Sequence, residues 1–404
     1  MAAWIPKIAV RATKNQYAYA ATQTIQCRDC TNQPRIIKNP TTASLKRGTG
    51  GRSSFNGVVC TVFGASGFIG RTVCNRLGKI GTQLIIPHRC DPYYVLPLKL
   101  CGDLGQVLFH PFHLKDEDSI IKSIKYSNVV INLIGSNFET RNFSYHDVHV
   151  EGARTIAKLA RECGVERLIH VSSLNVDPKP EPRVLSGGSQ ILKTKWHGEC
   201  AVKKEFPNAT IVRPAEVYGQ KDWFLTHYMS PLRRFINDTV PLWEKGLKTE
   251  KQPVHCSDVG AGIVALVRDP STAGKTYQFV GPKRYTLHEI VKWLYILAAR
   301  GVVDAAHQVS DMKYNFLFQT QVSLNDLIYN IYPEMPVTWE LIEKYHATDV
   351  VYPDLPTLED LGITPVDMES RMAWEIVPYR FHNEYMETVG EFSKAPPPKT
   401  VPLH

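Results

Sequence analysis

Short apolar runs alternate with amphipathic stretches along most of this chain. Val58, Val59, Val62 and Phe63 make a run suited to a strand covered on both faces, and Thr72–Leu77 beyond it is compatible with a helix. Leu84–Ile86 predicts a second strand, stopped by Pro87, and Val107–Phe109 a third. Asp116 to Ile124 reads as a helix with Asp116, Glu117 and Asp118 in its first turn, where acids favour the helix dipole. Asn128–Gly135 is a fourth strand running into a turn. Val148 to Cys163 has helical periodicity and ends at Gly164. Leu168–Val171 is a fifth strand that ends in Ser172-Ser173. A polar, proline-rich loop from Asp177 to Gly188 leads into a helix from about Gln190 to Phe206. A sixth strand, Ala209–Arg213, is halted by Pro214. Strands and helices alternating at these intervals predict an α/β fold: a right-handed, doubly wound parallel sheet.

Ligands of such sheets sit beyond the carboxyl ends of the strands. The glycine turn after the first strand, Arg89, the Asn132–Gly135 turn, Ser172-Ser173 and Pro214 are therefore expected on one edge. The turn reads Gly64-Ala65-Ser66-Gly67-Phe68-Ile69-Gly70. Gly64 permits the tight exit from the strand. Gly67 leaves no Cβ to hold a pyrophosphate off the backbone, and Gly70 lets the helix pack on the strand. The new helix offers its N–H groups and positive dipole end to phosphates.

After Gly219 the pattern loosens. Trp223 to Ile236 is amphipathic and aromatic, and Val254–Gly260 introduces a helix through Val267, with Ser257 or Asp258 as its cap. Thr276–Val280 predicts a strand and Leu287–Ala299 a helix. From Gly301 on there is no phosphate or metal motif, and Ala395–Pro398 predicts an extended, exposed tail. The expected division is a leader and basic arm over 1–45 and a nucleotide-binding domain over 46–220. A smaller α+β lobe follows over 221–345, with a return segment, 253–268, packing on the first domain, and then an extension over 346–404.

Two positions bear on the cofactor. A sheet that binds NAD usually carries an acid after its second strand, about 20 residues beyond the glycines, for the ribose hydroxyls. Here the strand ends in Arg89, whose guanidinium suits a 2′-phosphate and favours NADP(H) over NAD(H). Asp91 is the alternative that would serve NAD. Reduction on such a sheet needs a hydroxyl proton donor four residues before a lysine. Lys195 is in place, but Ile191 stands at the donor position, and Tyr218 is not a substitute by spacing.

Composition changes this picture only at the amino end. The net charge of +8 resides within residues 1–52, which hold nine Lys/Arg and the single acid Asp29; the remainder is neutral. A basic balance of this kind does not argue for nucleic acid. Residues 1–28 carry Lys7, Arg11, Lys14 and Arg28 and no acid, and they lack the apolar core of a secretory signal. They read as a mitochondrial presequence, cleaved between Gln26 and Lys46. No run is long and apolar enough for a transmembrane helix. The nine cysteines are scattered. Cys27 and Cys30 form a lone C-x-x-C, for which no zinc or redox role is expected.

With these residues in view the chain resembles the short-chain dehydrogenase/reductase superfamily in its extended or atypical branch. The motifs are GASGFIG at 64–70, VVINLIG at 129–135, HVSSLN at 170–175, TKWHGE at 194–199, IVRPAEVYG at 211–219 and PVHCSDVGAGI at 253–263. Within that branch it is similar to the nucleotide-binding accessory subunits of mitochondrial respiratory complex I. The shared stretches run from KRGTGGRSSFNGVVCTVFGASGFIGR to HATDVVYPDLPTLEDLGI, from about Lys46 to Ile363. The resemblance implies a Rossmann-type fold and bound NADPH outside the electron path; no catalytic residue is expected because Ile191 stands at the donor position, and no metal is expected. It implies a place on the matrix side of the inner membrane at the junction of the peripheral and membrane arms, with other complex I subunits as partners and a role in stabilising assembly. It carries the cofactor site onto Gly64, Ala65, Ser66, Gly67, Phe68, Ile69, Gly70, Arg89, Leu133, Ile134, Gly135, Ser172, Lys195 and Pro214. Ile191 departs even from this group, where the tyrosine is often kept. A working NADPH-dependent reductase or epimerase, for example in quinone metabolism, and a nucleotide-sensing regulator are the alternatives.

Overall fold

β1 (Val59–Phe63), β2 (Gln83–His88), β3 (Val107–Pro111), β4 (Val129–Asn132), β5 (Arg167–Val171), β6 (Thr210–Pro214) and β7 (Thr276–Phe279) build one parallel sheet in the order β7-β6-β5-β4-β1-β2-β3. The computed structural model describes residues 48, 50–230, 239–298, 309–328, 337–380 and 395–403. The expected presequence, the Cys27–Cys30 pair, the end of the Trp223–Ile236 stretch and Ala299 lie outside the described residues. In the middle of the sheet Thr61 is in register with Ile85 on one side and Val130 on the other.

Ten helices are used below: α1 (Phe68–Lys79), α2 (Glu117–Ile124), α3 (Gly152–Glu162), α4 (Gln190–Glu205), α5 (Trp223–Met229), α6 (Cys256–Arg268), α7 (Leu287–Ala298), α8 (Phe316–Ile328), α9 (Trp339–His346) and α10 (Met368–Glu375). Strand residues alternate between two apolar layers. Cys60, Val62, Ile131 and Ile169 join Val73 and Leu77 of α1 and Val259 and Ile263 of α6. Phe63, Val130 and Leu168 join Ile120 of α2, Ile156 of α3 and Val202 of α4. Helices thus cover both faces, which explains why these strands read as apolar runs.

Of the two prolines expected to stop strands, Pro214 ends β6 and Pro87 lies inside β2. β2 runs through Pro87, which pairs with His110. The Gln83 N–H bonds the β1 side and the Leu84 N–H the β3 side, so position 87 would donate towards β1. The last pair with β1 is at Ile85, so Pro87 lies beyond the paired part of that edge, where a missing N–H is tolerated. Pro214, the last residue of β6, pairs with Phe279, and its carbonyl accepts from the Leu174 N–H at 2.8 Å.

The C-terminal third is helical where its sequence showed no motif. Phe224, Leu225 and Tyr228 of α5, Ile290, Leu294 and Tyr295 of α7, Leu341 and Tyr345 of α9 and Met372 of α10 share a second core. Three short sheets join distant segments: Val217–Tyr218 with Val254–His255, Val240–Leu242 with Val309–Asp311, and Arg284–Thr286 between Glu250–Lys251 and Thr400–Val401. The tail therefore differs from its expectation. Arg284–Thr286 pairs on one side with Glu250–Lys251, and its open side takes Thr400–Val401. Pro398 is buried. Leu358 returns to the main core, and the Gln278 N–H donates to the Pro356 carbonyl at 2.8 Å.

Candidate functional site

A cavity of about 320 Å³ opens at the carboxyl edge of the sheet. Ten of the sequence-predicted residues line it: Gly64, Gly67, Phe68, Ile69, Gly70, Leu133, Gly135, Ser172, Lys195 and Pro214. They converge because each ends a strand or opens the helix that follows it.

The three glycines are needed for different reasons. Gly64 has φ +79°, and a Cβ there would lie 3.0 Å from the Leu133 carbonyl. A Cβ on Gly70 would lie 2.6 Å from the Ala65 Cα, so this glycine sets the approach of α1 to β1. Gly67 is different. Its φ of −72° suits any residue, and a Cβ would meet only the Gly64 oxygen, at 3.2 Å. It is the N-cap of α1, with no side chain capping the helix and no acid in the first turn. The N–H groups at this end are left for a ligand.

Four predicted residues stand apart from the cavity wall. Ala65 is fully buried under the turn. Ser66 lines a separate cleft with Phe68, Arg71 and Thr72. Ile134 packs into the core layer and donates its N–H to Asn132 Oδ1 at 3.0 Å. Arg89 is exposed at the end of β2, its guanidinium 5.8 Å from the Phe143 ring centroid. Asp91 is engaged in capping a short helix, accepting from the Tyr93 N–H at 2.8 Å.

The floor is buried and polar. Lys195 Nζ donates to the Ser172 carbonyl at 3.3 Å. Burial, and then the neighbouring Lys344, pull the Lys195 ammonium down to about 8. Ser172 Oγ is buried without a hydrogen-bond partner. A partnerless hydroxyl, an open glycine and an uncapped helix start on one cavity fit a nicotinamide dinucleotide, which brings ribose hydroxyls and phosphates. Ile191, one turn before Lys195, is fully buried and packs in the second core with Phe138 and Tyr218. Tyr218 is itself buried and is not part of the cavity wall.

A neutral histidine supports the turn after β4. His149 Nε2 accepts from the Ser136 N–H at 3.1 Å, so the ring proton is on Nδ1, 2.9 Å from Thr194 Oγ1. Burial, and then Lys195, push this histidine down to about 3. The folded ring is neutral, whereas an unfolded one gains a proton below about 6.5. The unfolded state then binds more protons, so this stability is full above about pH 6.5 and lost as pH falls towards 3. The expected loss by about pH 4.5 is of order 2 kcal/mol from this one ring. Denaturant titrations from neutral to acid pH should show that slope, and His149→Asn should reduce it, leaving the part contributed by His170, which burial also holds down to about 4.

The sequence did not single out Ser136, Asn137, Phe138, Glu216, Trp223, Phe224, Lys344 or Tyr345, which complete the cavity. The first three directly follow the Gly135 turn, and continuing that loop would have found them. Lys344 and Tyr345 come from α9 and carry no local signal. Glu340 of that helix accepts from Ser189 Oγ at 2.6 Å and from the Ile191 N–H at 2.9 Å, which ties α9 to the start of α4. Among the described residues no group of side chains could hold a metal ion, and no helix is long and apolar enough to cross a membrane.

Residues 60–280 match the NAD dependent epimerase/dehydratase family. NADH dehydrogenase (ubiquinone) 1 alpha subcomplex subunit 9, mitochondrial, of Mus musculus is 42% identical over 360 residues, 89% of each chain. The NADH-ubiquinone oxidoreductase 40 kDa subunit, mitochondrial, of Neurospora crassa is 36% identical over 339 residues, 84% of each chain. A nucleoside-diphosphate-sugar epimerase from Staphylococcus aureus superposes with a TM-score of 0.54 at 16% identity, over 78% of this chain and 99% of that one. This last likeness shows the shared fold.

Proposed function

The chain belongs to the NAD dependent epimerase/dehydratase family, and from that premise we propose that it is a non-catalytic accessory subunit of mitochondrial NADH:ubiquinone oxidoreductase that binds NADPH and stabilises the assembled complex. The observation that carries the reading is the pairing of a preserved nucleotide cavity with an apolar Ile191 one turn before Lys195. The names of the mouse and Neurospora relatives support the complex and the mitochondrion. A position on the matrix side, in contact with other subunits, follows from the same reading, as does a peripheral attachment to the inner membrane.

When bound, the nucleotide would supply hydride chemistry. Gly67 and the start of α1 would receive its pyrophosphate, and Ser172 and Lys195 the ribose and nicotinamide end. No hydroxyl donor stands at the usual position, and general acid catalysis typically contributes about 10²–10⁴-fold. The experiment is to load the protein with NADPH and follow the absorbance of the reduced nicotinamide over a panel of aldehydes, ketones and quinones. A stable signal is expected. Oxidation at enzymatic rates by one of these compounds would favour the reductase reading.

Arg89 is proposed to hold the 2′-phosphate. It is exposed at the carboxyl end of β2, while Asp91 is engaged in its cap. Arg89→Asp is expected to weaken NADPH by about 1.5–3 kcal/mol, roughly ten- to hundredfold, and to leave NADH little changed. Mass analysis of nucleotide released on denaturation, with titrations of both cofactors, checks this; unchanged preference would remove Arg89 from the role.

A further inference from the structure

Two ammonium groups face this one cavity, and neither is ion-paired with a carboxylate: Glu199, which acts on Lys195, is itself paired with Arg213 at 2.7 Å. Lys195 Nζ is held by the Ser172 carbonyl at 3.3 Å and Lys344 Nζ by Asn137 Oδ1 at 3.1 Å, both neutral acceptors. Lys344 also lies 5.0 Å from the Tyr345 ring centroid. Both side chains are largely buried. The carboxylate on the cavity wall, Glu216, is shared with the fully buried Lys251 at 3.8 Å, and Lys251 in turn meets Asp349 at 3.3 Å. With Glu199 and Arg213 cancelling each other, those three groups and the two cavity lysines together leave one positive charge in excess. His149 and His170 add none at neutral pH, since burial holds both far below their usual range.

We propose that Lys344, acting with Lys195, makes this cavity select the reduced, uncharged nicotinamide over the oxidised, cationic one. The inference rests on reading the cavity as a nicotinamide nucleotide site. The two forms of the nucleotide carry the same sugars and phosphates and differ by the positive charge of the oxidised ring. Contacts at the glycine turn and at Arg89 therefore cancel from the comparison. What remains is the field at the nicotinamide end, and charges interact far more strongly in a partly desolvated cavity than in water. Surplus positive charge there disfavours the oxidised ring. By linkage, a protein that binds the reduced form more tightly also makes the bound nucleotide harder to oxidise, which suits a constituent that is kept rather than turned over.

Lys344 acts from α9, far along the chain from the glycine turn and beyond the stretch that matches the family. The selection would thus be supplied by the C-terminal lobe. Glu340 and Glu343 anchor that helix to the start of α4 and to the loop before it, which fixes where the ammonium stands.

The test uses the full-length protein freed of nucleotide, titrated calorimetrically with NADPH and with NADP⁺ at neutral pH and physiological ionic strength. The wild type is expected to bind NADPH about tenfold or more tightly than NADP⁺. Lys344→Met should narrow that ratio by roughly tenfold, and Lys344→Arg, which keeps the charge, should restore it. Equal affinity for the two forms in the wild type would overturn the proposal without any variant. So would a Lys344→Met protein that loses both forms equally. Binding of neither form by folded wild-type protein would remove the underlying nucleotide reading as well, an outcome distinct from equal binding.

Discussion

Gly67→Val is expected to empty the nucleotide site while leaving the fold of the free protein intact. The backbone at Gly67 is open to any residue, with φ −72°, and a Cβ there meets only the Gly64 oxygen at 3.2 Å. The isopropyl group projects where a pyrophosphate would approach the uncapped start of α1. Losing two charge-assisted hydrogen bonds at about 1.5–3 kcal/mol each would weaken binding roughly a thousandfold. The free variant should melt near the free wild type. The difference appears on adding NADPH, since a ligand that binds only the folded state contributes about 2.7 kcal/mol at a hundredfold excess over Kd. The variant should show none of that gain. Gly70→Ala is the contrast, because its new methyl runs into the Gly64–Ala65 backbone. That change should lower the melting temperature with or without nucleotide, by overpacking that typically costs about 1–3 kcal/mol.

The largest loss of stability is expected at Glu343. Its side chain is 1% exposed and accepts the N–H groups of Arg183, Val184 and Leu185 at 2.8, 2.6 and 2.8 Å. One carboxylate thus satisfies three successive amides of the loop before α4. Glu343→Ala leaves all three without a partner, and each unsatisfied donor costs about 1–3 kcal/mol. After partial hydration of the loop, a net loss of roughly 3–5 kcal/mol is expected, read as a shift in the denaturant midpoint at unchanged slope. Glu181→Ala in the same loop removes an exposed carboxylate that pairs with Arg183, and it should change stability by less than about 1 kcal/mol. Since α9 also carries Lys344 and Tyr345 to the cavity wall, Glu343→Ala should reduce stabilisation by NADPH too.

The sheet and its ligand edge were legible because their causes are local. A strand covered on both faces is a short apolar run, and a doubly wound topology sends the end of every such run to the same side. Gly64, Gly67, Leu133, Gly135, Ser172, Lys195 and Pro214 could be placed there from order alone. Pro214 ends its strand as expected, whereas Pro87 misled because it lies beyond the last pair with β1, and strand neighbours decide that. Lys344 and Tyr345 were illegible for a related reason. They reach the cavity through carboxylate anchors on α9 that bond distant backbone, a tertiary fact with no spacing of its own. The tail is expected to be extended and exposed; Pro396 and Pro397 are exposed, yet Thr400–Val401 beyond them completes the edge of a small sheet whose other strands lie far upstream. Arg89 was correctly placed at the end of β2. It is exposed there, so packing gives the role proposed for it no support either way.

On the reading proposed above, this chain works as a nucleotide-holding member of a larger respiratory complex. Native electrophoresis of detergent-solubilised mitochondria, probed for this chain, puts that to the test. The chain is expected to migrate with complex I, and cells carrying Gly67→Val are expected to hold less of the assembled complex. Migration of the wild-type chain wholly as a small free species would contradict it.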